Sequence, residues 1–174
     1  MGLKIDHFIA STNANTAFPD YLSTGHYKPN RTIATIANAM DVGDPSNFSR
    51  ILSLYEGEGS TWNNIKKELS SQSFLDHKII EGIKEIKQRY NYEIDPHGST
   101  AYLAYKNYLL KHPKTFSVIL ETAHPAKFDL EIPNFSYSAT PAKLNAFRSK
   151  QSNSIKCSAK YDDFKAFLNK HSST

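Results

Sequence analysis

The strongest constraint on the fold is the alternation of short apolar runs with segments of helical periodicity. Apolar runs at residues 5–10 and 116–120 have the length and composition of buried strands. Between them, residues 75–90 place apolar side chains along one helical face, and a helix is predicted from 100 to 110. Strands that alternate with helices are typical of α/β proteins, so the sequence predicts three layers, with a mostly parallel sheet flanked by helices.

Shorter helices are predicted between the two apolar runs. Ser46 is expected to cap a helix over residues 48–55, and a second short amphipathic helix spans 62–69. Ser73 and Asp76 have the spacing of a capping box at the start of the 75–90 helix. The 8–120 region is therefore rich in helices.

Two regions lack a regular apolar pattern. Residues 11–31 are rich in Asn, Thr, Pro and Gly, which indicates loops and turns. The tail from residue 129 onward is also irregular, apart from a final helix predicted at 162–170 that buries its apolar face. No internal repeat and no second domain are indicated.

The net charge of +4 and the pI of about 9.0 raise the possibility of nucleic-acid binding. The basic residues are nevertheless dispersed among acidic ones. Lys84, Lys87 and Arg89 lie on a predicted helix that also carries Glu81 and Glu85. A mixed face of this kind is typical of solvent exposure, so we expect no nucleic-acid partner.

Cys157 is the only cysteine, so an intramolecular disulfide is impossible and a cytoplasmic location is expected. Its neighbours show no pattern of a catalytic nucleophile. No apolar run approaches the roughly 20 residues that a membrane-spanning helix needs. We therefore expect no membrane association.

Three segments are polar where a plain core would be apolar: residues 38–47, 95–98 and 121–128. In open α/β sheets, binding sites form beyond the carboxyl ends of the strands. Thr122 and His124 follow directly after the predicted strand at 116–120 and would occupy such a place. The sequence thus predicts a polar site at this end of the sheet.

The individual residues leave the chemistry open. His97 or His124 alone is more often a hydrogen-bonded turn residue than a ligand or a catalytic group. Together with Asp95 they could form a metal site, but they lack the close ligand pair that such sites usually contain, so no metal is expected. No glycine-rich phosphate loop and no Gly-x-Ser-x-Gly elbow occurs in the chain.

The polar segments resemble signatures of bacterial and fungal threonine synthases. The matching stretches, in chain order, are FIASTNAN at 8–15, ANAMDVGDPSNF at 37–48, DPHG at 95–98 and TAHPAKF at 122–128. Their order and spacing agree with the family. From residue 129 onward the likeness is faint.

The resemblance implies the tryptophan-synthase-like fold of pyridoxal-phosphate (PLP) enzymes. It implies residues 1–128 as the C-terminal part of the large domain, and 129–174 as an irregular segment and terminal helix packed on that domain. The implied reaction converts O-phospho-L-homoserine and water to L-threonine and phosphate. The cofactor stabilises the carbanions of this reaction, and the protein orients it.

The resemblance also implies roles for particular residues. Thr122 matches a hydroxyl that hydrogen-bonds the pyridine nitrogen of PLP, and a hydroxyl can donate to an unprotonated nitrogen. Cofactor-flanking positions match Asn38, Ala39 and Met40. Positions near the ring match Asp95, His97 and His124, with no acid or base role assigned. Asp44 stands where Asn is commonest in the family.

Other parts of the family pattern are missing. The Schiff-base lysine, in a Ser-Phe-Lys segment, and the glycine-rich loop that holds the cofactor phosphate have no counterpart here, and Lys127 is not that lysine. The chain alone is therefore expected to be inactive, to bind PLP weakly at most, and either to need the missing N-terminal half or to self-associate. Two alternatives remain open, a non-catalytic interaction module and a fragment of another fold-type-II PLP lyase.

Overall fold

The computed structural model describes residues 4–57, 59–128, 130–138 and 140–171. The chain divides into two compact units, residues 1–139 and 140–174. The first unit contains, in chain order, β1 (Phe8–Thr12), α1 (Ala17–Thr24), a 3₁₀ turn (Asn38–Met40), α2 (Phe48–Leu54), α3 (Thr61–Glu68), β2 (Leu69–Ser73), α4 (Asp76–Tyr90), α5 (Pro96–Lys111) and a second 3₁₀ turn (Pro125–Lys127). The second unit contains α6 (Ala142–Arg148) and α7 (Tyr161–His171). No described helix is both long and apolar enough to cross a membrane.

The strands β1 and β2 pair in parallel, with Phe8 opposite Leu69 and Thr12 opposite Ser73. Helix α5 packs against both strands, and α1 packs against β2. A parallel pair joined by a helical crossover confirms the predicted α/β class. The sequence LSSQS of β2 has no apolar alternation, which explains why the pattern did not predict a strand there. Ser71 compensates by donating its hydroxyl hydrogen to the Ala10 carbonyl oxygen (2.6 Å).

Helices α4 and α5 form the main core. Ile79, Ile83 and Ile86 of α4 are almost completely buried, which confirms the middle of the predicted apolar face, whereas Leu75 and Tyr90 at its two ends are exposed. The two helices approach closely at Gly82, where a Cβ atom would lie 2.4 Å from Ser99 Oγ. Glycine lowers the helix propensity at this position, and the close packing against α5 compensates for that loss. A larger residue would prevent this packing.

The starts of both helices differ from the prediction. Leu75 occupies the N-cap of α4 and makes no side-chain cap, so the predicted capping box is wrong. Asp76 instead accepts a hydrogen bond from the backbone N–H of Ile36 (3.3 Å), a partner distant in sequence. Helix α5 begins at Pro96, four residues before the predicted start, because the Asp95 carboxylate accepts from the Gly98 N–H (2.8 Å).

A second core lies among α1, α2 and α3. It contains Tyr21, Leu22, Phe48 and Ile65, all buried. The prediction that residues 11–31 are entirely loop is therefore wrong. Pro19 obscured the helical pattern, yet in the first turn of α1 a proline is tolerated because that turn has no intrahelical acceptor for its N–H.

The strand predicted at residues 116–120 is wrong. The segment has no regular secondary structure and belongs to no sheet, and Phe116 and Leu120 are 92% and 77% exposed. A strand needs a neighbour to pair its N–H and C=O groups, and within the described residues none lies beside it. Apolar composition alone therefore did not decide the secondary structure of this segment.

Residues 130–138 join the first unit, because Ile132 is buried in the main core and the Tyr137 hydroxyl donates to the Ile94 carbonyl (3.1 Å). The second unit has little core of its own. Phe164 and Leu168 of α7 are about half exposed, at 49% and 48%, so the prediction that this helix buries them is wrong. Packing of the terminal helix on the first domain stays a prediction.

Candidate functional site

A buried amide cluster holds the loop that contains the first polar segment. Asn13, directly after β1, is completely buried. Its Nδ2 lies 2.7 Å from both Thr35 Oγ1 and Asp41 Oδ1 and 3.1 Å from the Ala37 carbonyl oxygen. Its Oδ1 accepts from the backbone N–H of Asn15 (2.9 Å). The amide thus fixes the loop at both ends of the Asn38–Met40 turn.

The Asn38–Met40 turn meets the start of α5 from the other side. The backbone N–H of Ala39 donates to Nε2 of His97 (3.1 Å). The Thr100 hydroxyl lies 4.0 Å from the sulfur of Met40. Asn38 and Ala39 remain exposed, whereas Met40 is half-buried. The hydrogen bonds to Asn13 and His97 therefore hold the turn in place, while Asn38 and Ala39 stay accessible.

His97 connects this turn to Asp95. Its Nδ1 lies 3.2 Å from Asp95 Oδ1, and its ring lies 4.8 Å from that of Phe128. Because Nε2 accepts the Ala39 N–H, this geometry assigns the ring proton to Nδ1, which donates to the carboxylate. The histidine thus has both nitrogens engaged.

Asp95 is 1% exposed and caps α5. Its burial opposes the charged form. The hydrogen bonds from His97 and from the Gly98 N–H outweigh that penalty, so the pKa of Asp95 is lowered. Its second oxygen, Oδ2, is buried and has no hydrogen-bond partner in the described part of the chain. Asp95 is accordingly an ionised group at the positive end of a helix dipole.

Glu121 approaches Asp95 from the third polar segment. Its Oε1 accepts from the backbone N–H of Asp95 (3.0 Å), while its Oε2 is buried without a partner among the described residues. A Cβ atom on Gly98 would lie 1.7 Å from Oε2, so only glycine admits the carboxyl here. Burial is the main cause that raises the pKa of Glu121 to about 7, and the charge of Asp95 adds to it.

Two further residues of the third segment, Thr122 and His124, make fewer recorded contacts. Thr122 and His124 are exposed, and the structure records no hydrogen bond for the Thr122 hydroxyl. Nδ1 of His124 accepts from the Ala126 N–H (3.1 Å) and so caps the second 3₁₀ turn. Among the described residues, no three His, Cys, Asp or Glu side chains lie close enough together to hold a metal ion.

The structure therefore brings together Ala39, Met40, Asp95 and His97, and it adds Glu121. Sequence reasoning placed Glu121 in a polar segment but did not select it as a site residue. A carboxyl group directly after an apolar run was the available signal. Thr122 and His124 make no described hydrogen bond to this cluster.

No family model matches the chain. Among curated proteins it is similar to the threonine synthase of Haemophilus influenzae, with 40% identity over 128 residues that cover 74% of this chain and 28% of that protein. The Escherichia coli threonine synthase is 37% identical over 128 residues, with the same two coverages of 74% and 28%. The chain thus spans less than a third of the length of these relatives.

Solved structures show the same likeness. The crystal structure of Escherichia coli threonine synthase matches with a TM-score of 0.75 and 29% identity, covering 98% of this chain and 39% of that one. A PLP-bound threonine synthase from Brucella melitensis matches with a TM-score of 0.72 over all of this chain and 42% of that one, and at 20% identity it supports the fold alone.

The fold and the polar turns define an α/β chain with a polar cluster at the start of α5. The comparisons identify its family. The chain belongs to the threonine synthase family and corresponds to a part of those proteins.

Proposed function

We propose that this chain forms one wall of the PLP site of a threonine synthase, which converts O-phospho-L-homoserine and water to L-threonine and phosphate. The observation that carries the proposal is the 40% identity over 128 residues to the Haemophilus influenzae enzyme. That stretch is long enough to contain all of the polar segments. The geometry supports it, since the segments at 38–47 and 121–128 both contact the start of α5.

The residues present fit a cofactor of this kind. The exposed Thr122 hydroxyl has no recorded hydrogen bond and so is available to a ring nitrogen. The 3₁₀ turn formed by Asn38, Ala39 and Met40 is held by the hydrogen bond from Ala39 to His97. Its exposed surface can flank a flat ring. PLP, when bound, supplies an electron sink for the reaction. The chain's own residues position it and the substrate.

The two histidines have different roles in this proposal. His97 orients the turn, because its two nitrogens are occupied by the Ala39 N–H and by Asp95. Nδ1 of His124 accepts from the Ala126 N–H, no hydrogen bond to its Nε2 is recorded among the described residues, and the side chain is exposed. Its Nε2 is therefore the better placed of the histidine nitrogens to exchange a proton with a substrate.

We further propose that the chain acts only with a partner, which is the remaining, N-terminal part of a threonine synthase. The support is the exposed apolar segment at residues 116–120. Phe116, Val118 and Leu120 are all strongly exposed, and the segment lies in no sheet. Apolar residues in an unpaired segment are suited to strand addition, in which main-chain hydrogen bonds join two polypeptides. Self-association through the same segment is the competing outcome.

The test is reconstitution. The chain is mixed with the portion of Haemophilus influenzae threonine synthase that lies before the region it matches. Phosphate release from O-phospho-L-homoserine and the absorbance of bound PLP are then measured. We expect neither polypeptide to release phosphate alone and the mixture to do so. Robust turnover by the chain alone refutes the need for a partner, and no turnover by a folded, associated mixture refutes the enzymatic proposal.

Matched substitutions locate the interface. Leu120→Asp is expected to abolish reconstitution, whereas Leu54→Asp is not, although the two leucines are almost equally exposed at 77% and 79%. Association without turnover would favour the interaction-module alternative. Dimers of the chain that Leu120→Asp dissolves would identify self-association as the use of this segment.

A further inference from the structure

Asn13 is a completely buried amide that lies directly after β1, the strand that pairs with β2. Its Nδ2 has three acceptors within 3.1 Å, and they are Thr35 Oγ1, the Ala37 carbonyl oxygen and Asp41 Oδ1. Its Oδ1 accepts from the backbone N–H of Asn15 (2.9 Å). An amide combines two donor hydrogens with an acceptor at one end of a side chain, so neither a carboxylate nor an aliphatic residue of the same size can make this set of bonds.

Two of these partners lie on either side of the Asn38–Met40 turn. Ala37 directly precedes the turn, and its carbonyl oxygen also accepts the Met40 N–H (2.9 Å) that closes it. Asp41 directly follows the turn, and its Oδ2 accepts from the Thr35 N–H (3.0 Å). One side chain therefore holds both ends of a three-residue turn against the end of a paired strand.

We infer that Asn13 is a positioning residue, whose amide fixes the Asn38–Met40 turn in the place where it flanks the cofactor and thereby controls the affinity for PLP. The inference rests on the proposed function, because that proposal puts PLP beside the turn. Asn13 is 0% exposed, so it cannot contact a ligand itself. It acts through the turn, in which Asn38 and Ala39 are exposed.

The partner that makes this contact selective is Asp41. Its carboxylate accepts from the Asn13 amide (2.7 Å), the Thr35 hydroxyl (2.8 Å) and the Thr35 N–H (3.0 Å). Hydrogen bonds to an ionised acceptor are stronger than those between neutral groups. The isosteric change Asn13→Asp would replace the donor with an oxygen, so two carboxyl groups would face each other at the contact. The turn would then lose its support while the volume of the side chain is kept.

A second substitution reverses the direction of the contact. In Asn13→Asp combined with Asp41→Asn, the amide at position 41 donates to the carboxylate at position 13. The Thr35 hydroxyl, which now accepts from Asn13 and donates to Asp41, can rotate to serve the reversed pair. The double variant thus restores the pairing without restoring the original residues, and it remains informative if Asn13→Asp alone does not fold.

The first measurement uses the 174-residue chain alone. Amide hydrogen exchange at Met40, whose N–H closes the turn, reports how firmly the turn is held. We expect exchange to be about tenfold faster in Asn13→Asp than in the unaltered chain. The double variant should exchange more slowly than Asn13→Asp, because the contact between positions 13 and 41 is attractive again.

Ser99→Ala is the matched control. Ser99 is as buried as Asn13, and its hydroxyl donates to the Ile79 carbonyl of α4 (2.7 Å) rather than to the turn. The variant therefore loses a buried hydrogen bond without changing the support of the turn. Exchange at Met40 should change by less than about twofold. Equal acceleration in Asn13→Asp and Ser99→Ala would make Asn13 a residue of the core only and overturn the inference.

The second measurement uses the reconstituted mixture, in which PLP is titrated and its absorbance is followed. We expect Asn13→Asp to bind PLP about tenfold more weakly, the double variant to bind it more tightly than Asn13→Asp, and Ser99→Ala to stay within about twofold. If the unaltered mixture binds no PLP, the proposed function fails, while the exchange measurement still decides whether Asn13 holds the turn. If the unaltered mixture and Asn13→Asp bind PLP equally well, the proposed function stands and the inference is overturned.

Discussion

Two polar clusters hold the loop that contains the Asn38–Met40 turn, and they stabilise their buried polar groups in different ways. The cluster around Asn13 uses neutral amides and one carboxylate, Asp41, that accepts from Asn13, Thr35 and the Thr35 N–H. The cluster around Asp95 uses carboxyl groups with two buried oxygens that lack partners among the described residues. Amides satisfy each other without charge, whereas a carboxyl pair needs a proton or a cation. We expect the first cluster to control stability and the second to control pH response.

The largest expected effect is that of Asn13→Ala. The change leaves the Asp41 carboxylate, the Ala37 carbonyl and the Asn15 N–H short of partners in a buried site. We expect a loss of about 3 kcal/mol or more in the free energy of unfolding, measured by urea denaturation. Asn38→Ala, at an exposed amide, is the control and should change it by less than about 0.5 kcal/mol. Equal effects would show that the amide cluster is dispensable.

Gly98→Ala should have the next largest effect. Alanine normally stabilises a helix relative to glycine, but here its Cβ would meet Glu121 Oε2 at 1.7 Å and Ile94 at 2.7 Å. We expect a destabilisation of about 1–3 kcal/mol from overpacking, measured as a lower thermal midpoint. Gly57→Ala is the matched control, since nothing lies within 4 Å of its Cβ position. A stabilised Gly98→Ala chain would mean that the carboxyl moves away freely.

The third prediction concerns pH. The native chain retains a proton on Glu121 that the unfolded chain releases, because the pKa of this group is raised from 4.5 to about 7. This contribution is therefore complete below about pH 4.5 and is lost as pH rises through about 7. Unfolding by urea at pH 5 and at pH 8 should show a smaller decrease for Glu121→Gln than for the unaltered chain.

Other groups make the difference between the two chains the proper measurement. Burial and His112 lower the pKa of His7, so its contribution runs in the opposite direction and is lost as pH falls through that lowered value. It is common to both chains and cancels in the comparison. An unchanged pH dependence in Glu121→Gln would contradict the assignment of the proton to Glu121.

Thr122→Val should have the smallest effect on stability. The hydroxyl is exposed and has no recorded hydrogen bond, so the free energy of unfolding should change by less than about 0.5 kcal/mol. In the reconstituted mixture, the same change should weaken PLP binding, seen in the cofactor absorbance. A large loss of stability would instead make Thr122 a structural residue and remove the reason to place it in a site.

Helix α4 and strand β2 illustrate how far sequence patterns reach. The apolar face of α4 was predictable because Ile79, Ile83 and Ile86 repeat with helical spacing. Strand β2 was not, because its serines and glutamine are stabilised by pairing with β1 and by a side-chain bond to Ala10. The reverse error occurred at residues 116–120, where apolar composition indicated a strand that has no neighbour in the described chain.

The same limit applies to the site. The polar segments at residues 38–47, 95–98 and 121–128 were visible as residue types, and their spacing resembled that of threonine synthases. Which of those residues meet was not visible. His97 and Ala39 are joined by a hydrogen bond across 58 positions, and Asp95 and Glu121 across 26. Such pairings depend on how α4, α5 and the loops pack.

The sequence by itself determined the α/β class, the helical faces and the family. These properties follow from local periodicity and from the order of short segments, which survive without a three-dimensional context. Only the tertiary structure decided that His97 anchors a turn and that the pKa of Glu121 is raised. The reason is that a proton's position depends on burial and on neighbouring charges, and both are properties of the packed chain.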